Sequence, residues 1–436
     1  MTDDPRLFVG LDFGTSGCRL FAIDGERHVV HQAQRSLPEP LRDGPAVEQD
    51  PALWWDGLRD LFAALPRQLR ARIAAVALDG TSGSVLVCNT QGEPLTPALM
   101  YNDARATAEA ARVAQIAPAA SGAHGASASL AKLLWLCDRH EFPAGAHALH
   151  QADWLASCLA GRFDISDENN ALKLGYDPVE RRWPDWLADT GLDMALLPKV
   201  LPPGSVIGSI DPRKADALDL PSTVEIVTGT TDSIAAFLAT GADRVGDAAT
   251  SLGSTLALKV LSEHPVFDPA AGVYSHRLWH RWLAGGASNT GGAVLAHFFT
   301  RGQLDALTPR LDPDTPTGLD YYPLLRPGER FPVNNPDLAP QLDPRPADDL
   351  RFFQGMLEGI AAIERDGYRK LEALGAPYPA RVFSVGGGAR NPGFTRIRAR
   401  RLETTMADPV ETEAAYGAAL LARRGIMNAA NETRED

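Results

Sequence analysis

Two common phosphate-binding signatures are missing from this chain: it has no G-x-x-x-x-G-K-[ST] loop and no G-x-G-x-x-G opening. Neither a Walker-type nucleotide site nor a standard dinucleotide fold is therefore indicated. Basic charge is in deficit as well, with 42 Lys and Arg against 55 Asp and Glu and a net charge of -13. That balance argues against a sequence-independent grip on nucleic acid or on an anionic membrane, so an anionic ligand would have to be held locally. Cysteine is scarce: Cys18, Cys88, Cys137 and Cys158 are scattered and form no C-x-x-C pair, so neither a disulfide framework nor a zinc site is expected. The start, Met1-Thr2-Asp3-Asp4-Pro5, has no basic segment, and Asp12 and Gly14 interrupt the first apolar run. No signal peptide or membrane span is expected, and a cytoplasmic location follows. His276 and His280 do not read as a metal pair, because four residues of strand span about 13 Å and no H-E-x-x-H helix surrounds them.

What is present is length and pattern. A chain of 436 residues exceeds one ordinary core and suggests two or three domains. Leu7 to Asp12, Cys18 to Ile23 and the segment around Val29 read as three antiparallel strands, with Asp24-Gly25 as a hairpin turn. Asp50 and Pro51 open a helix to Leu65, with Trp54, Leu58 and Phe62 on one face. Ile73 to Leu78 is a strand ending at Asp79-Gly80. The alanine-rich stretch from Ala104 to Cys137 and the run Ala152 to Leu159 read as helical cover. Val224 to Val227 is a strand opening into Gly229-Thr230-Thr231-Asp232. Beyond it Ala248 to Val260, Val273 to Ala284 and Val382 to Val385 read as strands, and Leu350 to Leu374 as a long amphipathic helix. The domain boundary is expected between Thr228 and Asp232, and Thr308 to Pro346 as mainly loop.

Four segments carry chemistry. Leu7 to Gly17 puts a carboxylate, Asp12, at the end of a buried strand before a small-residue turn with exposed N–H groups, which suits a phosphate and its magnesium. A plain hairpin with an Asp in the turn is the alternative. Gly229 to Asp232 sets a second carboxylate at a strand end, where an Asp otherwise serves as a helix cap. Ser251 to Thr255 and Val385 to Pro392 are small-residue loops, and the three glycines of the latter let the backbone lie flat against a planar or anionic ligand. The pairs Trp54/Trp55 and Trp183/Trp186 read as packing residues.

Taken together and in order, Gly10-Leu11-Asp12-Phe13-Gly14-Thr15-Ser16, Asp79-Gly80-Thr81-Ser82-Gly83, Tyr101-Asn102-Asp103-Ala104-Arg105, Gly229-Thr230-Thr231-Asp232, Leu252-Gly253-Ser254-Thr255, Arg326 to Pro332 and Gly386-Gly387-Gly388-Ala389-Arg390-Asn391 resemble the FGGY family of carbohydrate kinases. The resemblance covers nearly the whole chain. It implies an α/β fold of two ribonuclease-H-like domains, of the actin and hexokinase ATPase type, around a central cleft. Residues 1–228 would bind sugar and 229–436 ATP. Asp232 would be the general base and Asp12 would organise Mg2+. Thr15 and Ser254 would touch the phosphates of ATP, the co-substrate, and Gly387, Gly388 and Asn391 would border its adenosine. Thr81, Ser82 and Asp103 would join Asp12 and Asp232 on the sugar side, and a stacking role for Phe394 is left open. Phosphoryl transfer agrees with this set, since it needs in-line positioning, charge neutralisation and a carboxylate near the nucleophile.

The glycerol kinases carry an Arg-Glu pair in the loop corresponding to Gly80 to Gly83, and bacterial xylulokinases usually a His; this chain has neither. With its compact length and Asp-Phe-Gly-Thr-Ser-Gly opening it is similar to the short family members that act on D-ribulose. D-ribulose is thus the first expected substrate and D-xylulose the second, with other polyols or sugars behind them. A non-catalytic nucleotide-binding regulator and a hydrolase with paired carboxylates are the readings from other classes.

Overall fold

Leu7–Phe13 (β1) is buried along its whole length, and the hairpin expected after it forms with Gly17–Ile23 (β2) and Val29–Ser36 (β3). The computed structural model describes residues 5–435; the acidic start, Met1 to Asp4, lies outside them. β1 also pairs in parallel with Ile73–Gly80 (β4). Two later strands, Val206–Ser209 (β5) and Glu225–Thr231 (β6), complete a six-stranded sheet in the order β5-β6-β4-β1-β2-β3. Pro51–Ala64 (α1) enters this layer as expected: the Asp50 side chain accepts the Ala52 N–H, Pro51 occupies the first turn, and Trp54, Leu58 and Phe62 are buried. Gln151–Ala160 (α2) forms the crossover between β4 and β6.

The alanine-rich stretch is less helical than its composition suggests. Only Thr107–Ile116 and Ser129–Cys137 are helices; Pro118, Gly122 and Gly125 break the segment between them.

A second sheet repeats the layout of the first. Asp247–Leu252 (β7), Leu256–Ser262 (β8), Tyr274–Leu278 (β9), Arg281–Ser288 (β10), Arg381–Val385 (β11) and Thr405–Ala407 (β12) run in the order β9-β10-β8-β7-β11-β12. In each sheet a strand pairs antiparallel with its successor on one side and parallel with a later strand on the other. The two expected long strands, 248–260 and 273–284, are each a hairpin, turned at Gly253 to Thr255 and at Trp279 to His280. The long helix Asp349–Ala373 (α4) and Pro392–Leu402 (α5) cover this sheet, joined by a buried ion pair in which Arg398 donates to both Glu364 oxygens at 2.6 and 2.7 Å.

The compact units part at a different point from the expected 228/229 boundary. One comprises residues 1–239 with 413–436, the other 240–412. Asp232–Ala239 (α3) stays with the first sheet because Ala414–Glu435 (α6) packs against it and against β1 and β4. The packing is close enough to demand glycine: a Cβ at Gly10 would overlap the Ala415 carbonyl, and one at Gly417 the Ala235 carbonyl.

Candidate active site

In the first unit β1 delivers Asp12 to its C-terminal end, 7% exposed. The next turn is closed by the Gly14 N–H donating to the Gly17 carbonyl at 3.0 Å. Thr15 is left half-buried and Ser16 exposed beside a cavity of about 510 Å³. Opposite Asp12 across the hairpin stands Arg19, which donates to Asp12 Oδ2 at 3.4 Å and reaches Glu413 at 3.1 Å. On the other flank β4 sets Asp79 in parallel register with Asp12. Asp79 is fully buried and neither carboxyl oxygen meets a protein donor. Burial, then repulsion from Asp12, push the Asp79 pKa well above the usual carboxylate range, with Asp232 adding to the effect. Burial also raises Asp12, while Asp79 and Arg19 draw it back.

Asp232 reaches the same neighbourhood through a bulge. The register of β6 on β4 shifts between Val227 and Thr230. There Gly229 lies so close to the Leu78 carbonyl that any Cβ would overlap it. The strand then passes directly into α3, whose first residue is Asp232. Its half-buried carboxylate accepts the Ser233 N–H at 2.5 Å. That contact is compatible both with a helix-terminal role and with a base near an acceptor hydroxyl.

The remaining expected sugar contacts divide. The Thr81 hydroxyl is held by Ser84 at 2.5 Å and by Gln151 Oε1 at 2.9 Å, while half-buried Ser82 offers its carbonyl to Lys173 at 3.1 Å. Asp103 is tied to its surroundings by donors from Arg105 and Val47. Arg105 donates to both of its oxygens and the Val47 N–H to one at 2.6 Å, so the carboxylate anchors its own chain. In compensation, several buried polar atoms around these loops lack any protein partner: both Asp79 oxygens, Gln151 Nε2, Asn102 Oδ1, Asn169 Oδ1 and Thr231 Oγ1. Orphaned groups of this kind cost free energy unless something polar meets them, and a polyhydroxy ligand supplies both donors and acceptors.

In the second unit the β7–β8 turn leaves Ser254 exposed, and its carbonyl accepts the Ala293 N–H at 3.1 Å. Gly386 and Gly387 are exposed and Gly388 half-buried after β11. Asn391 caps α5, accepting the Phe394 N–H at 2.9 Å. Gly388, Asn391 and Phe394 border a narrow cavity of about 70 Å³ whose other walls include Leu252, Leu295 and Ile360. Phe394 is 3% exposed and belongs to the apolar core.

Three charged residues near the first unit's site were not singled out from sequence. Arg19 could have been, because a turn at Gly14 to Ser16 places it opposite Asp12. Asp79 is visible in the sequence as a carboxylate at a strand end but has no role assigned by it, and Lys173 gives no local signal, since a packed turn brings it in. Another arrangement is a false lead: His150 bonds Ser129 at 2.9 Å and Asp153 at 3.2 Å, but all three are buried and His150 with Asp153 forms the capping box of α2.

Among the described residues no cluster of three or more His, Cys, Asp or Glu could cage a metal. Magnesium does not need one, since it takes one or two carboxylates and keeps waters and phosphate oxygens. Asp12, beside the unpartnered Asp79 oxygens, fits that requirement.

Two sheets sharing a five-strand order, with an acidic strand end in one unit and a glycine-rimmed cavity in the other, place the protein among the α/β ATPases of the actin and hexokinase type. Residues 7–239 match the N-terminal domain, and 248–426 the C-terminal domain, of the FGGY family of carbohydrate kinases, and the chain belongs to that family. It is a sugar kinase, a phosphotransferase for which ATP is the family's co-substrate. It is 28% identical over 423 residues to the xylulose kinase of Escherichia coli (strain K12), covering 90% of this chain and 84% of the relative. A solved xyloylose kinase from Brucella ovis superimposes with a TM-score of 0.88 at 26% identity, over 97% of this chain and 91% of that one. The xylulose kinase of Rhodospirillum rubrum gives 0.84 at 25%, over 96% and 90%. No helix among the described residues is long and apolar enough to cross a membrane.

Proposed function

We propose that the protein transfers the γ-phosphoryl group of magnesium-bound ATP to a hydroxyl of a ketopentose, with D-ribulose as the preferred acceptor. The observation that supports the ketose part is the set of buried polar atoms without a protein partner on Asp79, Asn102, Gln151, Asn169 and Thr231, residues of the segments that carry the expected sugar contacts or lie next to them in sequence. In this reading the first unit holds the sugar. Asp232 accepts the proton of the attacking hydroxyl and releases it to solvent after transfer. Asp12 holds the metal side of the triphosphate, and Arg19, already paired with Asp12, adds positive charge there. Magnesium, when bound, neutralises charge on the transferred group. Thr15 and Ser254 contact phosphates, while Gly387, Gly388 and Asn391 border the adenosine. Ser82, Thr81 and Asp103 flank the sugar, Thr81 fixing the loop through its bonds to Gln151 and Ser84.

D-ribulose is favoured by the loop Gly80 to Gly83, which has neither a histidine nor an Arg-Glu pair. D-xylulose is the second reading, favoured by the names of the relatives. ADP release with D-ribulose, D-xylulose, gluconate and glycerol tests both. The highest kcat/KM is expected on D-ribulose; a higher value on D-xylulose selects the second reading. No ADP release with any sugar or polyol would leave a nucleotide-binding regulator instead.

A further inference from the structure

Two lysines approach the loop Thr81 to Gly83, and their surroundings differ. Lys132 is fully buried, and its ammonium donates to the carbonyls of Gly83 at 2.5 Å, Met100 at 2.8 Å and Leu99 at 3.5 Å. An ammonium has three donors, so Lys132 is fully engaged in holding the loop. Lys173 donates to the Ser82 carbonyl at 3.1 Å, which uses one donor and leaves two.

The segment that carries Lys173 is built to fix it. Asp167 accepts the N–H groups of Asn169 and Asn170 at 2.8 and 3.1 Å. The Asn169 amide donates to Thr230 Oγ1 at 3.0 Å, tying the segment to the strand that leads into Asp232. The short turn Ala171–Leu174 follows and ends at Gly175, φ +98°. A Cβ placed on Gly83 would lie 3.3 Å from Lys173 Cδ and 3.6 Å from its Nζ, so the ammonium rests against the bare face of that glycine. The charge of Asp232 acts on it, supporting the protonated form against the larger, opposing effect of burial.

We propose that Lys173 is a substrate-binding residue, donating a hydrogen bond from its ammonium to an oxygen of the acceptor sugar beside Asp232 and selecting ligands that carry oxygen at that place. This rests on the kinase reading given above. A lysine that merely clipped the Ser82 carbonyl would need only one of its donors and no neighbouring carboxylate.

The test compares the parent with Lys173→Met and Lys173→Gln on the accepted ketopentose and on its monodeoxy analogues. Both variants should lose roughly 10- to 100-fold in kcat/KM, the range of a hydrogen bond to a charged group, mainly through KM for sugar. KM for ATP and the melting temperature should stay near the parent's. One deoxy analogue should be penalised in the parent and little further in the variants, because the lost hydroxyl and the lost ammonium were partners. Variants with the parent's KM for sugar, or equal additional losses on every analogue, would overturn the proposal while leaving the kinase reading intact. Should Lys173→Met not fold, Lys173→Gln and the analogue series decide the matter. A parent that phosphorylates no sugar sinks the kinase reading and this inference with it.

Discussion

Replacing Asp232 by Asn separates its two candidate roles by magnitude. As the first residue of α3, Asp232 accepts the Ser233 N–H through its carboxylate; an Asn carbonyl accepts the same bond, and the two residues cap helices about equally well. The structural loss is then confined to a negative charge at a helix N-terminus, about 0.3–1 kcal/mol. A general base contributes about 10²- to 10⁴-fold, equivalent to roughly 3–5 kcal/mol of barrier. The amide cannot take up the hydroxyl proton, so kcat should fall by at least about 10²-fold while the melting temperature moves by a few degrees. Three measurements are needed: steady-state ADP release with saturating ketopentose, thermal unfolding, and calorimetric titration with ATP. A variant with kcat within a few-fold of the parent would refute the base assignment and leave the helix terminus as the whole role of Asp232.

Asp12→Ala should raise the magnesium concentration needed for half-maximal turnover and lower kcat, with smaller effect on sugar binding; an unchanged magnesium titration would remove its metal role. Gly387→Ala and Gly388→Ala should part company. A Cβ at Gly387 meets nothing within 4 Å, so that variant should melt like the parent yet show a raised KM for ATP, whereas at Gly388 it comes within 2.8 Å of Leu252 Cβ and should lower stability too. Identical behaviour of the two, or a parental KM for ATP in Gly387→Ala, would count against an adenosine over that loop. Lys132→Met tests a pH dependence. Burial pushes the Lys132 pKa down to about 7, while the unfolded lysine keeps its proton to about pH 10.4. Between those values the unfolded state binds more protons, so the parent should gain stability relative to Lys132→Met as pH rises from 7 to 9, by up to about 1.4 kcal/mol per unit. A constant difference would show that the three carbonyls keep the ammonium protonated.

Local chemistry made much of the fold legible. Asp50 and Pro51 announce α1 because cap and first-turn geometry are written within four residues, and Asp24-Gly25 announces its hairpin for the same reason. The unit boundary was not legible, since α6 joins the first sheet through the fit of Gly10 and Gly417 against distant backbone. No local pattern encodes such a fit. The turn within 248–260 is announced by the small-residue loop Ser251 to Thr255, whereas that within 273–284 is concealed because flanking apolar residues keep the β pattern on both sides and Trp279, at φ +60°, is an unusual turn residue. The candidate site follows the same division. Asp12, Asp79 and Asp232 stand out as carboxylates at strand ends, whereas Lys173 enters through packing between segments far apart in sequence. For Asp103 the motif gives the residue type but not its bonds to Arg105 and Val47, which only the fold supplies.

The packing of α6 also bears on the order in which this chain is made. A ribosome releases β1 to β6 and α3 early, but the helix that seats on Gly10 emerges only after the whole of 240–412. The second unit is contiguous and can assemble as soon as it clears the exit tunnel. The first must wait with the apolar face of its central strands uncovered, longest where β1 and β4 carry the carboxylates. In the growing chain the later-made unit is thus complete in sequence before the helix that closes the first sheet has been made.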